Sequence, residues 1–108
     1  MMTSQQFRAL VLSLPDTEEN PHFDRAAFRI TGKRIFATMR EEDRSVNLKL
    51  TPVDQSVFCN FGKEAVFPVP NKWGLQGWTT FLLKKTPKDL MTDALNTAYQ
   101  DELKWRKK

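Results

Sequence analysis

The stretch Phe28-Arg29-Ile30-Thr31-Gly32-Lys33-Arg34-Ile35-Phe36-Ala37-Thr38-Met39-Arg40 decides the fold. Phe28 and Ile30 alternate with Arg29 and Thr31, Gly32-Lys33 supplies a turn, and Ile35, Ala37 and Met39 alternate with Phe36, Thr38 and Arg40. A period of two on both sides of a glycine-bearing turn marks an antiparallel hairpin. Beyond the charged turn Glu41 to Arg44, Val46, Leu48 and Leu50 alternate with Ser45, Asn47 and Lys49, which adds a third strand and makes a meander. If the apolar set of these strands faces a core, strict alternation sends Arg29, Thr31, Phe36, Thr38, Arg40, Asn47 and Lys49 to the other side.

The flanking segments supply helices. Phe7, Leu10, Val11 and Leu14 recur at helical spacing, Thr3 and Gln6 are placed as a capping box, and Pro15 ends the run. Asp16 to Asp24 is polar and reads as a surface loop. Thr51-Pro52-Val53-Asp54 starts a short helix: Thr51 caps, Pro52 suits the first helical position, and Asp54 meets the positive end of the dipole. That helix ends near Asn60 to Gly62, with Val57 and Phe58 expected against the sheet. Thr86-Pro87-Lys88-Asp89 repeats the device and opens a long helix with Leu90, Ala94, Leu95 and Ala98 inward, running to about Trp105. Between the two helices, Glu64 to Gln76 is irregular and Gly77 to Leu83 is a strand in which Trp78 packs. The whole reads as one α+β domain, residues 1–108, with the N- and C-terminal helices packed on one face of an antiparallel sheet.

A chain of 108 residues with 40% hydrophobic and 28% charged residues is sized and composed for a single soluble core. No apolar run approaches the roughly 20 residues that cross a bilayer, and nothing resembles an export signal, so a cytoplasmic location is expected, with no membrane partner. One Cys59 and one His22 cannot build a structural zinc site or an internal disulfide. Cys59, in Val57-Phe58-Cys59, reads as a packed thiol and not a nucleophile, and His22 has no assignable acid or thiol beside it. The carboxylates of Glu18-Glu19 and Glu41-Glu42-Asp43 point apart in turns and serve solvation. No phosphate-cradling glycine loop or nucleophile elbow is present. The expectation is a protein without enzymatic activity, metal or cofactor.

Seventeen Lys and Arg against thirteen Asp and Glu leave a net charge of +4, a balance that favours polyanion partners. Residues 1–25 are net acidic and the basic excess begins after them. On the alternation above, Arg29, Arg40 and Lys49 share the open sheet face, and Lys33 and Arg34 form a basic hairpin tip within reach of phosphates. Lys72 and Trp73 stand at the rim, where a Trp beside a Lys can stack on a base or close the end of the core. The tail Arg106-Lys107-Lys108 adds charge next to Trp105.

Leu14-Pro15, Pro21-His22-Phe23, Phe28-Arg29-Ile30, Gly32-Lys33-Arg34-Ile35-Phe36-Ala37, Val46-Asn47-Leu48-Lys49-Leu50, and Pro70-Asn71-Lys72-Trp73-Gly74 leading to Gly77-Trp78 together resemble the MmcQ/YjbR-like family of small bacterial proteins. The resemblance implies a compact α+β fold like that of the bacterial frataxin homologue, and double-stranded DNA as a partner. The frataxin likeness also invites iron, which in that family uses an acidic first helix; Thr3 to Leu14 contains no Asp or Glu, so no iron site is expected. The leading functional expectation is a non-enzymatic DNA-binding domain using Arg29, Lys33, Arg34, Arg40, Lys49, Lys72 and Trp73. On that expectation, replacing Arg34 and Arg40 by Ala weakens DNA binding without altering stability. A protein-interaction module that offers the open face or the Trp73 loop is the alternative, and a small-molecule pocket between the sheet and the Glu64–Gln76 loop is a third.

Overall fold

The computed structural model describes residues 1–105; the tail Arg106-Lys107-Lys108 lies outside the described residues. In chain order the elements are α1 (Ser4–Leu12), β1 (Thr17–His22), β2 (Arg25–Ile30), β3 (Ile35–Arg40), β4 (Ser45–Lys49), α2 (Pro52–Cys59), β5 (Val66–Pro68), α3 (Lys72–Leu75), β6 (Trp78–Leu82) and α4 (Lys88–Lys104). The strands form one antiparallel sheet in the order β1-β2-β3-β4-β6-β5. Helices α1, α2 and α4 cover one face through three edge-on aromatic pairs: Phe7 with Phe28, Phe58 with Phe81, and Tyr99 with Phe36. Among the described residues no helix is long and apolar enough to cross a membrane.

Local signals act as their chemistry dictates. Thr3 and Gln6 form the reciprocal capping box on α1, and the Thr51 hydroxyl accepts from the Asp54 N–H with Pro52 in the first turn of α2. At α4 the device differs: Pro87 is the cap residue, and buried Thr86 donates its hydroxyl to the Leu82 carbonyl (2.8 Å) instead of capping the helix. The last helix nonetheless buries Ala94, Leu95 and Ala98 as the spacing requires.

Several expectations need correction. Thr17–His22 is an edge strand and not a loop, in full register with β2. Its Glu-Glu-Asn-Pro composition has little strand propensity, but the ladder and ion pairs across it supply the stabilisation, and charge with Pro is how sheet edges resist further pairing. Val57 is 60% exposed and only Phe58 of that pair reaches the core. The third correction concerns β3. Ala37 pairs with Phe28 and Ile35 with Arg29, so Phe36 is the extra residue of a β-bulge. The bulge turns Phe36 into the core, where it is fully buried against Tyr99, and sends Ile35 to the open face that strict alternation gave to Phe36. The stretch expected to be irregular, 64–76, holds β5 and the single turn α3. That turn is seated by close backbone approach: a Cβ at Gly74 would stand 2.0 Å from the Val69 carbonyl oxygen, and one at Gly77 (φ +107°) 1.8 Å from that of Leu50.

Candidate binding groove on the open sheet face

The predicted basic surface is largely neutralised by the protein itself. Arg29 lies on the open face and donates to Glu18 opposite it in the ladder (3.0 Å). Glu18 also accepts from Asn20 and Thr31, and these bonds, Asn20 first, hold its carboxyl below the usual range. Arg40 donates to Asp24 (3.1 Å) and to Asp43. The pair pushes the guanidinium above its ordinary value and the Asp43 carboxyl well below its own, with Ser45 adding bonds to Asp43. Lys49 gives its Nζ protons to the carbonyl oxygens of Gln76 (2.7 Å) and Leu50 (3.2 Å), and burial lowers its pKa.

Arg34 is bound more firmly. Its guanidinium forks onto Glu102 of α4 (3.2 and 3.0 Å), its backbone N–H donates to the same carboxylate, and its plane lies 3.6 Å over the Trp105 ring. Glu102 is 2% exposed. Removing Arg34 would therefore strand a buried carboxylate, so the expectation that an Arg34/Arg40 double substitution leaves stability unchanged is corrected for Arg34. Beside this clasp, burial and then Asp54 push the Asp101 carboxyl above its ordinary value.

Of the seven residues picked from sequence, Lys33, Lys72 and Trp73 keep side chains without charged or hydrogen-bonded partners among the described residues. Trp73 is 51% exposed and does not close the core. It stands instead on the rim of a groove of about 340 Å³ between the open sheet face and the β5–α3 segment. Val69, Trp73, Trp78 and Ile35 make its apolar walls, and Thr38, Asn47, Arg25 and His22 supply polar groups. Trp78, expected only to pack, is a half-buried wall residue, and Ile35 is present because of the bulge. A larger hollow of about 520 Å³ near α1 is lined by Arg8, Glu19 and Glu41. Arg8 is already paired with both acids (2.9 Å each), which raise its pKa, and Arg25 lines the edge of that hollow as well as the groove.

Arg25 was not singled out in the sequence. It opens β2, and its half-buried side chain crosses the sheet to donate Nε–H to Thr38 Oγ1 (2.8 Å) and Nη2–H to the Ser45 carbonyl (3.4 Å). Burial, then the neighbouring Arg40 cation, lowers its pKa. Among the described residues no carboxylate pairs with it. Nor do three His, Cys, Asp or Glu side chains converge anywhere among the described residues in a way that would hold a metal. Burial pushes the Cys59 thiol up, away from the thiolate a nucleophile needs.

The YjbR family model matches residues 12–101. The chain belongs to the YjbR family. No curated protein matches it. Two of the solved structures that share the fold of this YjbR-family chain are the following. One is Deinococcus radiodurans protein DR2400, with a DUF419 domain: TM-score 0.80, 21% identity, 96% of this chain and 80% of that one. The other is a protein from Pseudomonas syringae: TM-score 0.70, 20% identity, 94% of this chain and 99% of that one. At these identities the likeness is one of fold.

Proposed function

We propose that this YjbR-family protein is a non-enzymatic binding protein that takes a small, aromatic-bodied molecule in the open-face groove. The observation that carries this reading is the groove itself: a concavity of about 340 Å³ with two tryptophans and two aliphatic side chains around a few polar groups. Specific ligand sites combine these features, apolar and aromatic walls with a small number of directed polar contacts. The α3 turn that carries Trp73 is packed closely on the frame, because Gly74 and Gly77 bring its backbone against the Val69 and Leu50 carbonyls where a Cβ would not fit. Thermal-shift screening against aromatic fragments tests the reading. Several fragments should raise the melting temperature of the wild-type protein and none should raise that of Trp73→Ala; a screen in which no fragment stabilises the wild type overturns it.

Double-stranded DNA is the second reading. The observation in its favour is a group of exposed cations without carboxylate partners among the described residues, including Lys72, with half-buried Lys33, and Arg44, Lys84 and Lys85 on the two turns joined by the Leu83 N–H to Arg44 carbonyl bond (3.0 Å). Against it stands the pairing of Arg29, Arg34 and Arg40 with acids, since a phosphate must compete with each partner. Fluorescence anisotropy with a labelled duplex at about 50 and 200 mM salt separates the readings. Affinity that collapses with salt and falls in Lys33→Ala/Lys72→Ala supports DNA; no binding at either salt eliminates it. A protein partner using the same groove would tolerate both salts but would be displaced by a groove-bound fragment.

A further inference from the structure

Resting on the groove reading above, we infer that the groove selects an aromatic monocarboxylate, with Arg25 and Asn47 holding the carboxylate against apolar walls of Ile35, Val69, Trp73 and Trp78. Arg25 lacks what its neighbours have. Each of the other β2–β3 arginines has a carboxylate: Arg29 has Glu18, Arg34 has Glu102, and Arg40 has two, Asp24 and Asp43. Arg40 thereby occupies the acids nearest Arg25. Arg25 is left half-buried with a hydroxyl and a backbone carbonyl as partners, and its remaining N–H groups have none among the described residues. A partly desolvated guanidinium with neutral partners is a charge that an arriving anion would complete.

A second donor faces the same space. Asn47 pairs with Thr38 across the ladder and lines the groove; its Oδ1 accepts from the Thr80 hydroxyl (2.8 Å), which commits the acceptor end and leaves the Nδ2 protons without a protein partner among the described residues. Donors from a guanidinium and a carboxamide fit a planar oxygen pair. One unpaired cation matches one negative charge, whereas a phosphate dianion would leave charge uncompensated beside Asp24 and Asp43. The tryptophan walls fix the rest of the ligand, since an indole face favours a flat aromatic body over a sugar or a short aliphatic acid. At about 340 Å³ the groove holds roughly one bicyclic ring system with a short acid arm.

Isothermal titration of the full chain with two acid–amide pairs, phenylacetate with phenylacetamide and 1-naphthylacetate with 1-naphthylacetamide, tests the inference. The acid of at least one pair should bind about tenfold more tightly than its amide, the size expected when a neutral contact replaces a charge-assisted one. Arg25→Gln should bring the acid down to the level of the amide and leave the amide unchanged; Trp73→Ala should weaken both. Equal binding of acid and amide to the wild type overturns the carboxylate inference and leaves the groove reading standing. Binding of none of the four overturns both. The wild-type comparison requires no substitution, so it decides the question even if Arg25→Gln is poorly folded.

Discussion

The two sides of β3 put similar groups to different uses. On the side facing α4, Phe36 is packed against Tyr99, and nearby Arg34 is forked onto buried Glu102 beneath Trp105. On the open side, Ile35 is half exposed, Arg25 rests on a hydroxyl and a carbonyl, and Trp73 and Trp78 face a groove. Each side has an arginine near tryptophan. Only the first has its carboxylate. A completed constellation adds to the stability of the fold, and an incomplete one offers a place for something else; the difference lies in which bonding capacity is left over, not in residue type.

The comparison breaks first at the bulge. Phe36→Ala should lower unfolding free energy by about 3–4 kcal/mol, and Ile35→Ala by about 1, because the first leaves a cavity in a closed core and the second trims a partly exposed wall. Urea unfolding of both variants checks this, and equal losses would mean that the two residues do not sit on opposite faces. Next in size is the clasp. Arg34→Ala should cost about 2 kcal/mol, less than a fully buried pair because Arg34 itself is 41% exposed, and should lower the melting temperature by about 10 °C. Arg25→Gln, which removes no ion pair, should cost less than about 1 kcal/mol in the same urea unfolding.

Asp101 gives a smaller effect of opposite sign. Its folded pKa is raised, so the folded protein binds that proton more tightly than the unfolded chain; the cost of the buried charge is present at neutral pH and relieved as pH falls through the folded value. Asp101→Asn should therefore be slightly more stable than the wild type at pH 7 and lose that advantage near pH 3.5, measured as urea midpoints. The smallest effect is Trp73→Ala, within about 0.5 kcal/mol of the wild type, since half of the side chain is already in water. A large loss there would place Trp73 on the structural side of the comparison.

The local parts of this arrangement were legible in the sequence. The α1 capping box, the Thr51-Pro52 start, the hairpin and the inward stripe of α4 all depend on residues within a few positions of one another. The misreadings depend on pairing across the fold. Edge strand β1 has a loop's composition and is a strand only because β2 lies beside it. The bulge is a count of opposing residues, which alternation along one strand cannot supply. Arg34 meets Glu102 across 68 positions, so a cation that looked free in the sequence is committed in the structure. Arg25 passed unnoticed for the converse reason: it follows Asp24 in a polar stretch, and only the fold shows that Asp24 is given to Arg40. That Lys72 and Trp73 stand at the surface could be read from the sequence because the turn that presents them is short and local.

The two backbone contacts beneath α3 bear on how such a protein can change over evolutionary time. Gly74 and Gly77 fix the turn by carbonyl approaches that tolerate no side chain, while Lys72, Trp73 and Leu75 between and beside them are exposed, Trp73 by about half. Frame and content are thus separable: substitution of Trp73 can alter what the groove accepts without retuning the sheet below, and drift at the two glycines is closed off.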